Sequence, residues 1–444
     1  MLNVLYDLTY AARGNSGIPK DTRSVAKILN RIPYTRTGYV ISPISFISRY
    51  AFTPRSRPVS TSKLLSNILQ NKSSLFFSNL PSKFVRSSLQ SISLLPFLSV
   101  TKLKPAQVKI LIKQLQINSS DLKPIPYFWV LNISYLARFI RPKFLGLFRL
   151  NTRNTDVFIQ QQIDPIRVNR NTKHIVRLHD ILPITHPFFF TTKAQLAFRQ
   201  GLVKMLGNKR IIWVMDTVAS KNEFIELFGD QLKVEVIPCE VGSVWDSDKA
   251  LKDITKKSFG KKSIFLVVGT IEPRKNIELI INTFLSLQNK DFLNSKNWQL
   301  IIAGSAGWIK GELLSQLRLS KFGPNINFIE GASDTFIGEL YSRADFIISA
   351  SEAEGFGLTP LEGMFFGCIP IVSNIPQHRE IMSTNTIYFD IYEKSLAIAI
   401  EKAMKIPSKE LLALRLKGHK FVLANYGEEA ITQKWASLLK KLEK

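Results

Sequence analysis

Apolar residues along this chain recur in two alternating periods. Short runs such as Ile264-Phe-Leu-Val-Val268 and Ile369-Pro-Ile-Val372 have the length of a buried strand and are bounded by polar residues or glycine. Between them lie stripes at helical spacing, among them Ile277, Ile280, Ile281, Phe284 and Leu285. The second half predicts strands at 264–268, 299–302, 326–329, 346–349, 369–372 and 387–389. The first half predicts strands at 2–6, 39–41, 156–159, 174–178, 211–214 and 233–237. Strands alternating with helices predict α/β domains with doubly wound parallel sheets. The expected division is a first domain over 1–240, a second over 256–425, and a last helix over 426–444 that crosses back to the first. The boundary is expected between Pro238 and Lys256.

Residues 43–153 break this pattern. They are rich in Ser, Leu, Phe and cations, with Asp121 their single acid. Lys63–Leu69 and Ser82–Leu89 read as basic amphipathic helices. Phe128-Trp-Val-Leu131 and Phe139–Phe148 mix aromatic residues with cations. Apolar bodies with cationic flanks suit a bilayer interface, and the alternative is a set of ordinary solvated helices.

Charge sharpens this division. The 444 residues carry a formal net charge of +26. Up to residue 155 there are 23 Lys and Arg against three acids, and the rest holds 37 against 31. A basic half beside a near-neutral half implies an anionic partner, either an anionic membrane surface or nucleic acid. Two cysteines, Cys239 and Cys368, have no metal or redox spacing and fit a reducing compartment. No secretory signal and no apolar run long enough to span a bilayer is visible.

The chemistry concentrates in Ser351-Glu-Ala-Glu354-Gly-Phe-Gly357-Leu-Thr-Pro-Leu-Glu362-Gly, between two expected strands and opening a helix. Ligands of open parallel sheets bind where strand carboxyl ends meet helix amino ends, and free N–H groups there suit a phosphate. Carboxylates only accept hydrogen bonds, which suits sugar hydroxyls. Each glutamate also fits a capping box, Ser351 to Glu354 and Thr359 to Glu362, with Pro360 at the first helical position. Capping leaves Gly355 and Gly357 unexplained. Gly269-Thr-Ile-Glu-Pro-Arg274-Lys275-Asn follows the first strand of the second domain, and its cations beside a helix start suit a diphosphate. In Arg177-Leu-His179-Asp180-Ile-Leu-Pro, a neutral His179 imidazole would orient a hydroxyl or the departing phosphate. Alternatively the segment is a turn capped by Asp180. Gly14 and Gly17 lie between the first strand and first helix in a spacing that also makes any tight turn. Neither a dinucleotide fingerprint nor a P-loop is present.

Glu354 and Glu362, with seven residues between them and Gly-Phe-Gly after the first, resemble the signature of retaining glycosyltransferases of family 4, its mannosyltransferase-like members in particular. The resemblance covers about residues 2–40 and 156–440 and omits the basic insertion. It implies the GT-B fold: two facing Rossmann-like doubly wound domains with a cleft between them. It also implies hexosyl transfer from a nucleotide-diphospho-sugar, with GDP-mannose favoured, to a glycan or polyprenyl-diphosphate-linked acceptor of lipopolysaccharide, O-antigen or exopolysaccharide assembly. His179, Asp180 and Glu354 would act at the reacting sugar. Arg274, Lys275, Gly355, Phe356, Gly357, Leu358, Thr359 and Glu362 would hold the donor, Glu362 at the ribose. Gly14 and Gly17 would belong to the loop facing acceptor and phosphates. The usual arginine after the first glycine is Thr270 here, with Arg274 nearby as the substitute. No metal or organic cofactor is expected, and the setting would be cytoplasmic, peripheral on the inner membrane face. An epimerase or phosphorylase of the same fold is the alternative, with nucleic-acid binding further behind.

Overall fold

A computed structural model describes residues 1–8, 11, 17–41, 97–98, 101–102, 128–130, 148–150, 152–164, 166–256, 262–289, 297–305, 307, 312–319, 321–382 and 385–443. Gly14, Lys63–Leu69, Ser82–Leu89 and most of Phe139–Phe148 therefore lie outside the described residues.

The first half contains β1 (Leu2–Asp7), β2 (Thr35–Ile41), β3 (Phe97–Leu98), β4 (Thr101–Lys102), β5 (Phe128–Val130), β6 (Phe148–Leu150), β7 (Val157–Gln160), β8 (Ile166–Arg167), β9 (Lys173–Arg177), β10 (Ile211–Met215) and β11 (Lys233–Val236). Eight of them form one sheet in the order β11-β10-β9-β7-β1-β2-β5-β4. Its pairs are parallel except β4 with β5. Phe128-Trp-Val130, read from sequence as interfacial, is thus a strand that extends the sheet beside β2. The order reverses between β1 and β7, which places a crevice at their carboxyl ends.

The second half contains β12 (Ser263–Val268), β13 (Trp298–Gly304), β14 (Ile326–Glu330), β15 (Phe346–Ser349), β16 (Ile369–Ser373) and β17 (Ile387–Phe389). They form an all-parallel sheet in the order β14-β13-β12-β15-β16-β17, reversing between β12 and β15. Successive residues of a strand face opposite sides. Accordingly Phe265, Phe346 and Ile348 enter one core with Ile281, Trp298 and Ile371, while Leu266 and Ile347 enter another with Leu361, Met364 and Val372. Burial on both faces explains why these strands are continuous apolar runs.

Helix Ser408–Tyr426 lies on the second sheet's side of the molecule, where Val422 and Tyr426 join the core of Leu361 and Met364. After Gly427, helix Glu428–Glu443 puts Ile431, Trp435, Leu438 and Leu439 into the first domain's core with Val25, Ile28 and Ile175. Tyr34 also donates from its hydroxyl to the carbonyl of Ala436 (2.5 Å). The chain end is therefore part of the first domain's packing. Trp435→Ala should cost about 3–5 kcal/mol, measurable as a lower denaturation midpoint of the first domain in urea.

Candidate active site

On the second-domain side, β12 ends at a one-turn helix, Pro273–Lys275, and Asn276 turns the chain into the next helix with φ 49°. This turn aims Arg274 and Lys275 at the loop after β15, and Glu352 N–H ties the two loops by donating to the Arg274 carbonyl (2.8 Å). Arg274 Nη1 donates to Glu354 Oε2 (2.7 Å) and its Nε pairs with Glu272 (2.6 Å). Lys275 Nζ donates to Glu354 Oε1, and Ser351 Oγ donates to the same oxygen (2.6 Å). Burial alone would raise the Glu354 pKa, but the charges of Arg274 and Lys275 outweigh it and hold the carboxyl well below its usual range. Glu272 moves the other way, raised by burial despite Arg274. Two carboxylates and two cations make this cluster electrically neutral.

Gly357 caps helix Leu358–Phe365 with φ 95° and no side-chain hydrogen bond. Thr359 and Pro360 lie inside the helix, so neither capping box forms. Glu354 is held by cations in a loop, and Glu362 is a fifth helical residue facing the cleft. The uncapped N–H groups at the helix start are available to an anion. Glu362 Oε2 accepts from the Tyr341 hydroxyl (2.9 Å), and Oε1 accepts from Lys20 Nζ (2.8 Å). Phe356, expected at the donor, instead packs its side chain against Tyr426 in the core, leaving only its backbone to the loop. Leu358 and Thr359 are half-buried, with the Leu358 Cδ1 3.3 Å from where a Gly17 Cβ would stand.

Lys20 comes from the first domain's opening helix, Gly17–Arg31, so it crosses the cleft. It also lies 3.5 Å from Asp334 and 5.0 Å from the Trp245 ring centre. Burial lowers its pKa, yet Glu362 and then Asp334 raise it further, and the net direction is upward.

His179 and Asp180 follow β9 and face this loop. A side chain at Gly355 would stand 2.6 Å from the His179 carbonyl, so only glycine lets the two loops meet. Thr217 and Ser220 hydroxyls donate to the Gly355 carbonyl (3.3 and 3.2 Å). Val218 and Ala219 N–H groups donate to Glu380 (2.6 and 2.7 Å). Asp180 Oδ1 accepts from Leu182 N–H (3.0 Å), the capped turn that the sequence allowed. Burial raises its pKa against the pull of Arg274.

The surroundings of His179 favour its charged form more than the sequence suggested. Its Nδ1 lies 2.9 Å from Asp216 Oδ2 and its Nε2 3.3 Å from Gln161 Oε1, so both ring nitrogens meet acceptors. Burial pulls its pKa down, but Asp216 and then Asp21 outweigh that, and the net shift is upward. Behind it, the fully buried Arg177 grips Asp21 through Nε (2.6 Å) and Nη2 (2.9 Å), pairs with Asp216 (3.1 Å) and donates to the Ile237 carbonyl (2.9 Å). Asp21, His179 and Cys239 lie near enough to share a metal ion. Arg177 already supplies the positive charge there, and it engages Asp21 and the Cys239 sulfur, so the donor set does not fit a resident metal.

Several of these residues had no signal in the sequence. Tyr341 reads as a core tyrosine. Asp216 follows the strand at 211–214, and strand-end position is the clue that points to it. His378 lies under Gly357: its Nδ1 is 2.9 Å from the Ser373 carbonyl and its buried Nε2 has no partner. Of the other histidines, His174 is a core residue against Phe158, pushed down to about 3 by burial.

Two facing parallel α/β domains with the site between them are the GT-B arrangement. Over the full chain the fold is similar to sucrose-phosphate synthase from Thermosynechococcus elongatus (TM-score 0.62, 12% identity, 100% of this chain and 99% of that one). It is likewise similar to Anabaena HepE solved with UDP and glucose (TM-score 0.58, 14% identity, 99% and 100%). Residues 249–420 match the family model for glycosyl transferases group 1. This chain's relatives include mannosyltransferases. The chain is 35% identical over 129 residues to the serotype-specific mannosyltransferase WbdA of Escherichia coli, covering 28% of this chain and 15% of that protein. It is 29% identical over 238 residues to the O-antigen chain mannosyltransferase RfbU of Salmonella typhimurium, covering 52% and 61%. The matched regions thus span less than two thirds of these relatives' lengths.

Two outcomes follow from the buried carboxylates. Lys20→Met leaves Glu362 buried with Tyr341 alone and should cost about 1–3 kcal/mol, while Lys20→Met with Glu362→Gln should recover part of that loss in thermal melts. Because the Glu354 pKa is depressed in the fold, its contribution is complete above the ordinary carboxylate value of 4.5 and is lost as pH falls through the lowered one. Stability should therefore drop below about pH 4.5, and Glu354→Gln should be less stable at neutral pH with a shallower acid slope.

Proposed function

We propose that this chain is a retaining glycosyltransferase that moves a hexose, mannose from GDP-mannose being favoured, to a glycan or a polyprenyl-diphosphate-linked glycan. The observation that carries this reading is the cleft itself. Glu354 and Glu362 stand on either side of an uncapped helix start, with Arg274 and Lys275 beside one and His179 across from it. Sugar hydroxyls would meet Glu354, the ribose Glu362, and the diphosphate the helix N–H groups and Lys275. The neutral clamp on Glu354 means that a bound diphosphate would share Lys275 with that carboxylate. Among the relatives, a GDP-mannose:cellobiosyl-diphosphopolyprenol alpha-mannosyltransferase of Komagataeibacter xylinus is 28% identical over 118 residues, which supports both the donor and the lipid-linked acceptor.

Transfer would proceed on one face of the sugar. The acceptor oxygen bonds to the anomeric carbon, the bond from that carbon to the β-phosphate oxygen breaks, and the leaving phosphate takes the acceptor proton. The protein's part is positioning and charge. Lys275 and the helix dipole offset the leaving diphosphate, and His179 would orient a sugar hydroxyl or the departing phosphate. The scheme needs no metal and no organic cofactor. Among the described residues no helix is long and apolar enough to cross a membrane. A lipid-linked acceptor and the excess of cations support work at the cytoplasmic face of a membrane, held peripherally.

A thermal-shift and calorimetric panel of UDP, GDP, dTDP and ADP with their common sugars tests the donor. GDP and GDP-mannose should stabilise the wild type, and Glu362→Gln should weaken them roughly tenfold to a hundredfold. Binding of another nucleotide alone would reassign the base. Failure of every nucleoside diphosphate to bind would defeat the transferase reading.

A further inference from the structure

The face of the first domain beside the cleft carries an apolar ridge with cationic flanks. Helix Thr192–Leu206 turns Gly201, Leu202 and Met205 inward. Outward it presents Leu196, 55% exposed, and Val203, 69% exposed, two turns apart on one stripe. At helical spacing Arg199 falls on one side of that stripe, and Lys193 and Lys204 on the other. The fifteen residues contain no acid. Just upstream, in the turn Pro187–Phe189, the Phe188 ring is 69% exposed. It rests on Phe189, ring centres 4.3 Å apart, and Phe189 packs with Leu182 and Ala353. Ala353 precedes Glu354, so this ridge is joined to the mouth of the site by direct packing.

We infer that Phe188 and the Leu196–Val203 stripe form a docking face for an anionic lipid bilayer. This rests on the lipid-linked-acceptor reading and deepens it by naming the surface that meets the lipid. The occupant follows from the chemistry of the face. Separate apolar side chains on a convex ridge bury themselves in a fluid acyl boundary, and long cationic side chains at the flanks reach the headgroup phosphates. A nucleic acid would use the cations and leave Phe188, Leu196 and Val203 in water. Docking here would set the cleft mouth at headgroup level, where the diphosphate of a lipid-linked acceptor lies.

The test is co-sedimentation of the full chain with vesicles of phosphatidylcholine, plain or with roughly one-third phosphatidylglycerol. Wild type should bind the anionic vesicles and leave the neutral ones. Leu196→Asp with Val203→Asp, Phe188→Ser, and Arg199→Glu with Lys204→Glu change surface positions, Lys204 half-buried and the others exposed, and should keep the wild-type melting temperature and GDP binding. Vesicle affinity should fall on the order of tenfold or more in each charge-changing pair. Wild-type vesicle affinity in all three variants would overturn the assignment and move docking elsewhere on the chain, as would a wild type that ignores anionic lipid. Nucleoside-diphosphate binding serves as the separate arm: failure of UDP, GDP, dTDP and ADP alike with docking intact defeats the transferase reading alone, and binding of one of them with docking unaffected by the variants defeats this face alone.

Discussion

The guanidinium of Arg177 is the charge around which the first domain is organised. A cation with no solvent exposure must have its charge matched and its N–H groups satisfied, or its desolvation would unfold the site. The partners that do so come from different parts of the chain: Asp21 from the opening helix, Asp216 from the end of β10, and the Ile237 carbonyl and Cys239 sulfur from the interdomain linker. Trp435 of the last helix lies against its face, 5.7 Å away. One buried charge thus fixes the helix, the sheet, the linker and the chain's end relative to each other. It also sets the electrostatics of His179, since Asp216 and Asp21, held by Arg177, are the acids that raise the pKa of that imidazole against burial.

The second domain solves the same problem with shorter reach. Glu354 is buried and ionised because two consecutive cations from the neighbouring loop close on it, and Glu362 is buried because a lysine arrives from the opposite domain. These two carboxylates differ in what they report. The Glu354 clamp lies within one domain. The Glu362 pair with Lys20 joins the two domains, as do the contacts of Gly355 with Thr217 and Ser220 and of Glu380 with Val218 and Ala219. A ligand that takes hydroxyl contacts from Glu362 therefore enters a pocket whose wall is partly made by the first domain.

Strand and helix positions were legible in the chain because their information is local. The run Phe346–Ser349 and the stripe from Ile277 to Leu285 declare themselves by period alone, and each is the element the sequence indicates. The capping boxes show where local reading misleads. Ser351 to Glu354 and Thr359 to Glu362 satisfy a four-residue template, but the backbone turns at Gly357 instead, since its left-handed conformation starts the helix without a side-chain cap. Phe356 sits in a loop that reads as ligand-facing, yet a large aromatic beside an apolar core gains more by burial against Tyr426.

By itself the sequence determined two parallel α/β units and brought Glu354, Gly355, Gly357 and Glu362 within one strand–loop–helix unit, because spacing along a short segment fixes neighbours in space. Only the tertiary structure decided the charge states and the partners. Lys20 and Glu362 are separated by 342 positions, and no periodicity links residues that far apart. The His179 pKa is raised against burial because Asp216, 37 residues on, meets it at a strand end. Electrostatic energy depends on distance and burial, and both are set by how the sheets and domains close.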